Sequence, residues 1–137
     1  MAGSQLLLVW LAMLAFLVLL AACQKGLAAD PQVTRRGEAL YNANCLSCHG
    51  GVQGDTRAPF APPHTNAGHT WHHPDGQLKD IILNGFTARG EMPPFRGKLN
   101  EADVEAILAY IKTWWGEKER AYQSEVTRQW EAQRRPR

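Results

Sequence analysis

Apolar residues are distributed along this chain in two ways. From Leu6 to Ala22 they form a nearly continuous run of Leu, Ala, Val, Met, Phe and Trp without a single charge. Beyond Asp30 they recur at helical spacing instead. Val33, Gly37, Leu40, Tyr41 and Asn44 share one face; Leu78, Ile81 and Ile82 share another; Val104, Ile107, Leu108 and Ile111 make a third stripe. The pattern predicts three core helices. Asp30-Pro31 reads as an N-cap followed by Pro at the first helical position. Asn100 caps the last core helix, with Leu99 and Val104 at the two positions of a hydrophobic staple. The middle helix follows His73-Pro74 and stops at Gly85. Gly37 interrupts its stripe at a cost of about 1 kcal/mol against Ala. Its place on the apolar face predicts close packing by the last helix, with Tyr110 or Trp114 nearby. Between Gly50 and Thr70 the chain is rich in Gly and Pro and reads as loop.

Cys45-Leu46-Ser47-Cys48-His49 has the form C-x-x-C-H, the attachment signature of c-type haem. On a helical turn, positions i, i+3 and i+4 share one face. Both thiols can then bond the haem vinyl groups while the imidazole reaches the iron from the same side. A thiol redox pair or half of a zinc site would also use C-x-x-C. Zinc would need a second ligand pair, and Cys23 is the one remaining cysteine. A thioredoxin-like site would need a βαβ context. Downstream, Gly90-Glu91-Met92-Pro93-Pro94-Phe95 offers a thioether, which suits ferrous iron, on a stretch that Pro93 holds extended. The other methionines, Met1 and Met13, lie in the N-terminal apolar segment. His49 and Met92 are therefore the candidate iron ligands.

With Gly37-x-x-x-Tyr41 ahead of the haem motif and Tyr110-Ile111 in the closing helix, these features resemble a class I cytochrome c from about Asp30 to Gly116. The resemblance implies an all-α fold wrapped around one covalently bound haem c, and a role in electron transfer without substrate chemistry. It further implies a Pro carbonyl on the proximal imidazole N–H, with Pro59 the first match and Pro62 the second. Two other functions compete: a haem enzyme or gas/redox sensor with a labile sixth ligand, and a non-haem thiol or metal-binding module. Met92 argues against the former, His49 against the latter.

As a helix the run from Leu6 to Ala22 measures only about 25 Å, barely a hydrocarbon thickness. It ends in Leu20-Ala21-Ala22-Cys23, which resembles the lipobox of bacterial lipoproteins, where the Cys becomes the lipid-bearing terminus. An uncleaved anchor and a secretory signal cut near Ala29 are the other two readings. Met1 to Gln5 carry no Lys or Arg, unlike an ordinary signal, and Lys25, Arg35 and Arg36 would draw an uncleaved span's C-terminal side inward. That orientation conflicts with haem attachment, which in bacteria occurs outside the cytoplasm. The expected organisation is a signal or anchor over 1–23, a linker over 24–29, a haem domain over 30–116 and a charged extension over 117–137. It places the domain on the periplasmic side of a membrane, with membrane-bound respiratory redox proteins as partners.

Composition narrows the picture a little further. The 15 basic and 13 acidic residues all lie beyond the apolar run and are mixed in sign, so a nucleic-acid partner is not expected. His64, His69, His72 and His73 cluster before the middle helix. That grouping is a metal-site cue, or a source of an alternative iron ligand; the plainer reading has His73 as an N-cap, with Trp71 and a neighbouring His packed or hydrogen-bonded beside the haem propionates. In the extension, Tyr122, Val126 and Trp130 recur every four residues. This thin stripe predicts a solvated, partly frayed helix, with docking to a partner or lipid headgroups as the alternative.

Overall fold

The computed structural model describes residues 30–88 and 91–135, together with Trp10 and Met13. Cys23, the lipobox, the linker and Gly90 of the second motif lie outside the described residues. The helices are α1 (Pro31–Asn44), the short α2 (Leu46–His49), α3 (Asp75–Asn84), α4 (Glu101–Lys112) and α5 (Glu117–Arg134), with a 3₁₀ turn at Thr70–His72. Among the described residues the only β pairings are isolated bridges, Phe86 with Met92 and Arg96 with Leu99. The fold is all-α.

Helices α1 and α4 form the most extensive pair. Asp30 caps α1 by accepting the Gln32 N–H at 2.8 Å, with Pro31 at the first turn. At α4, Asn100 and Asp103 exchange side-chain to backbone hydrogen bonds, both 3.0 Å, in a full capping box. Asp103 also receives Arg36 of α1, so one carboxylate starts α4 and ties it to α1. Tyr41, Leu78, Leu99, Val104, Ile107, Leu108, Ile111 and Trp115 make the buried core. Ile81 and Ile82, expected inward, are only partly buried, and Leu83 takes the interior place.

Two expectations are corrected by the C-terminal half. His73 does not cap α3: the cap position is Pro74, which offers no side-chain bond. The Asp75 N–H at the head of that helix instead donates to the Thr127 hydroxyl of α5 at 3.0 Å. Helix α5 is accordingly no frayed appendage. Its Gln123 is 2% exposed, and the amide nitrogen donates to the His73 carbonyl, the Asp75 carboxylate and the Thr127 hydroxyl. Trp130 lies over Gly76, where an added β-carbon would come within 2.2 Å of the indole. Trp71 meets the Tyr122 ring edge-on at 5.5 Å. The extension is built into the domain by Tyr122 and Trp130 of its apolar stripe together with polar bonds from Gln123 and Thr127 that apolar periodicity does not reveal.

Candidate haem site

The haem motif sits where α1 runs into α2. Cys45 is the C-cap of α1, its N–H donating to the Tyr41 carbonyl at 2.8 Å, and α2 begins at the next residue. The His49 N–H returns to the Cys45 carbonyl at 2.9 Å, so thiol, thiol and imidazole occupy one tight turn. The two cysteines are free thiols in unlike surroundings. Cys45 is buried, and burial, reinforced by neighbouring Cys48, pushes its thiol up to about 11 despite Lys98. Cys48 is exposed.

His49 is 8% exposed, and burial holds its pKa below the usual histidine value, favouring the neutral ring that binds a metal. Its Nδ1 lies 2.8 Å from the carbonyl oxygen of Pro62. Pro59, the first match implied by the resemblance, is not the partner. The chain reverses at residues 58–61, where the Ala61 N–H donates to the Ala58 carbonyl and Phe60 adopts a φ of 68°. That reversal leaves Pro59 exposed and brings the carbonyl three residues later back to the imidazole. A carbonyl accepts only from a protonated nitrogen, so Nδ1 carries the hydrogen and Nε2 keeps its lone pair.

His64 departs from the histidine cluster altogether. Its ring stacks on His49, centroids 4.2 Å apart and planes at 25°, and burial followed by His49 lowers its pKa to about 3. Flat against the proximal ring, it is not placed to bind the opposite face of an iron that His49 holds. His72 stacks on Trp71 at 3.6 Å, and His69 meets His73 at 5.1 Å. Among the described residues no group of three or more His, Cys, Asp or Glu is placed to hold a metal ion.

Met92 lies on a loop sewn to the end of α3. Phe86 and Met92 exchange both backbone hydrogen bonds, at 3.0 and 2.9 Å. The N–H groups of Phe95 and Arg96 satisfy the terminal carbonyls of Ile82 and Leu83. Gly85 permits the turn: its φ is 82°, and a β-carbon there would stand 2.8 Å from the Met92 carbonyl. Tyr41, not singled out as a site residue beforehand, donates from its hydroxyl to the Gly50 carbonyl at 2.8 Å, just past the motif. Trp115 likewise donates from Nε1 to the His64 carbonyl at 2.7 Å. Two thiols and a neutral imidazole in one turn, and a thioether on a loop bonded to the end of α3, are the donor types that haem c takes.

Residues 32–111 match the family described as cytochrome c oxidase, cbb3-type, subunit III. The chain belongs to this family of class I c-type cytochromes. Over 88 residues the cytochrome is 35% identical to a quinohemoprotein alcohol dehydrogenase of Comamonas testosteroni, covering 64% of this chain and 12% of that protein. Over 98 residues it is 30% identical to a cbb3-type cytochrome c oxidase subunit CcoP of an Azospirillum species, covering 68% of this chain and 32% of that protein. It is 28% identical over 81 residues to cytochrome c6 of Microcystis aeruginosa, which it spans across 89% of its length. The larger relatives are thus matched over a minor part of their length. No solved structure matches the chain significantly. Membership of this family implies covalently bound haem c in the cytochrome.

Proposed function

We propose that the cytochrome is a single-haem electron carrier in which Cys45 and Cys48 would form the thioethers and His49 and Met92 would ligate the iron. The observation that carries this reading is the His49–Pro62 hydrogen bond, which puts the proton on Nδ1 and keeps the lone pair on Nε2. When bound, haem supplies an iron that alternates between ferric and ferrous states. The chain holds the imidazole neutral, orients it and packs Tyr41 and Trp115 behind the loop. Met/His ligation raises the potential, as suits a carrier near the oxidising end of a respiratory chain. A Met–iron charge-transfer band in the ferric spectrum is the expected result; a high-spin spectrum would instead identify an enzyme or sensor with an open sixth position.

The partners in this reading are membrane-bound respiratory redox proteins on the periplasmic side, a choice supported by the likeness to an oxidase subunit. The attachment would be a lipid on Cys23. Among the described residues no helix is long and apolar enough to cross a membrane. Six residues, Gln24 to Ala29, separate Cys23 from the cap of α1, a tether of at most about 20 Å. So short a leash keeps the haem domain beside the bilayer.

A further inference from the structure

The loop from Pro62 to Thr70 contains an imidazole for which the ligand set has no use. The side chain of His64 is fixed from several directions. Its Nδ1 is 2.8 Å from the hydroxyl of Thr70, itself 5% exposed. Its carbonyl accepts the Trp115 indole N–H, and the Tyr41 ring stands edge-on to it at 6.0 Å. The anchored ring is laid nearly parallel on the face of His49.

An iron-bound imidazole can still rotate about the iron–nitrogen bond. The Pro62 carbonyl limits that rotation from the ring's edge, but carbonyl acceptors tolerate a broad range of approach. A flat side chain against the ring face removes the remaining freedom and keeps water from that side. We infer that His64 is a positioning residue for His49: its stacked ring, fastened by Thr70 and carried on a backbone that Trp115 holds, sets the rotational angle of the proximal imidazole. This rests on the reading of His49 as an iron ligand. The angle decides which iron d orbital holds the unpaired electron in the ferric state. It therefore sets the pattern of hyperfine-shifted haem-methyl protons. The excluded water matters too, because solvent access stabilises the more highly charged ferric state.

Proton NMR of the ferric holoprotein tests this, with the reduction potential as a second readout. His64→Ala is expected to change the spread and order of the haem-methyl resonances and to lower the potential. His64→Phe, which restores a flat ring, should return the wild-type order. Thr70→Val, which keeps the ring and removes its hydrogen-bond partner, should move the pattern part of the way and serves if His64→Ala does not fold. A low-spin His64→Ala or Thr70→Val holoprotein with wild-type methyl shifts would overturn the positioning role, as would a His64→Phe protein that behaves like His64→Ala. Failure of the ligand reading is distinct: the wild type itself would then lack a low-spin ferric spectrum.

Discussion

Gly37 of α1 faces the Ala106 carbonyl of α4 so closely that a β-carbon built on it would lie 1.9 Å from that oxygen and 3.0 Å from the Tyr110 β-carbon. The two helices meet backbone to backbone at this point. Ala would gain about 1 kcal/mol of helix propensity over Gly, yet the obstruction is a main-chain atom that cannot rotate aside. Gly37→Ala is therefore expected to destabilise the holoprotein by about 1–3 kcal/mol, the usual cost of overpacking. Thermal melting checks it, and a melting temperature at or above that of the wild type would show that the helices separate freely.

Gln123 tests whether α5 belongs to the domain. Its amide serves the His73 carbonyl, the Asp75 carboxylate and Thr127 in a buried position. Gln123→Ala should cost about 1–3 kcal/mol, because it removes all three bonds and leaves the His73 carbonyl without its Gln123 donor. Thr127→Val should cost about 1 kcal/mol, as loss of an N-cap does, since that hydroxyl caps α3 from outside. Denaturant titration that finds both variants as stable as the wild type would return α5 to the status of a solvated tail.

Asp103 provides a pH signature. The backbone N–H of Asn100 above all, and then Arg36, hold its carboxyl below the ordinary carboxylate range. A carboxylate with a depressed folded pKa contributes stability above its unfolded value, near pH 4, and loses it as pH falls further. Asp103→Asn should lower the melting temperature at pH 7, and the gap from wild type should narrow as the pH falls below about 4. A gap that persists unchanged at pH 2 would assign the loss to packing instead of charge.

Removing the Met92 thioether should favour ferric iron. For Met92→Ala the potential is expected to fall by on the order of 0.1 V, within the roughly 0.8 V that axial ligands span. The charge-transfer band should vanish with it. Unchanged potential and spectrum would exclude Met92 from the iron.

Mass spectrometry of the native N-terminus decides the tether. A lipidated Cys23 is the expected species, and Cys23→Ser should abolish the lipid and alter processing. An unmodified chain beginning at Asp30 would describe a free carrier.

The haem motif, the caps at Asp30 and Asn100 and the role of Gly37 were legible because each depends on residues adjacent in sequence or on one helical period. Pro62 was not, because the choice between two prolines turns on a positive φ at Phe60, a conformation that a phenylalanine rarely adopts and does not advertise. His64 was misplaced among its neighbours for a similar reason: proximity in sequence grouped it with His69, His72 and His73, whereas the loop carries its ring to His49. The docking of α5 was hidden more deeply. Beside Tyr122 and Trp130 of the visible stripe, its polar anchors are Gln123 and Thr127, whose roles follow only from partners 48 to 52 positions away.

The Trp115–His64 bond has a consequence in time. Its donor lies 51 residues after its acceptor, so the clasp over the loop cannot close until the chain has been synthesised through α4 and beyond. Contacts between distant parts of a chain form late because the intervening loop must first be closed. Cys45 and Cys48, by contrast, emerge early. In the proposed reading both thiols have appeared before Trp115 arrives to shut the loop behind them.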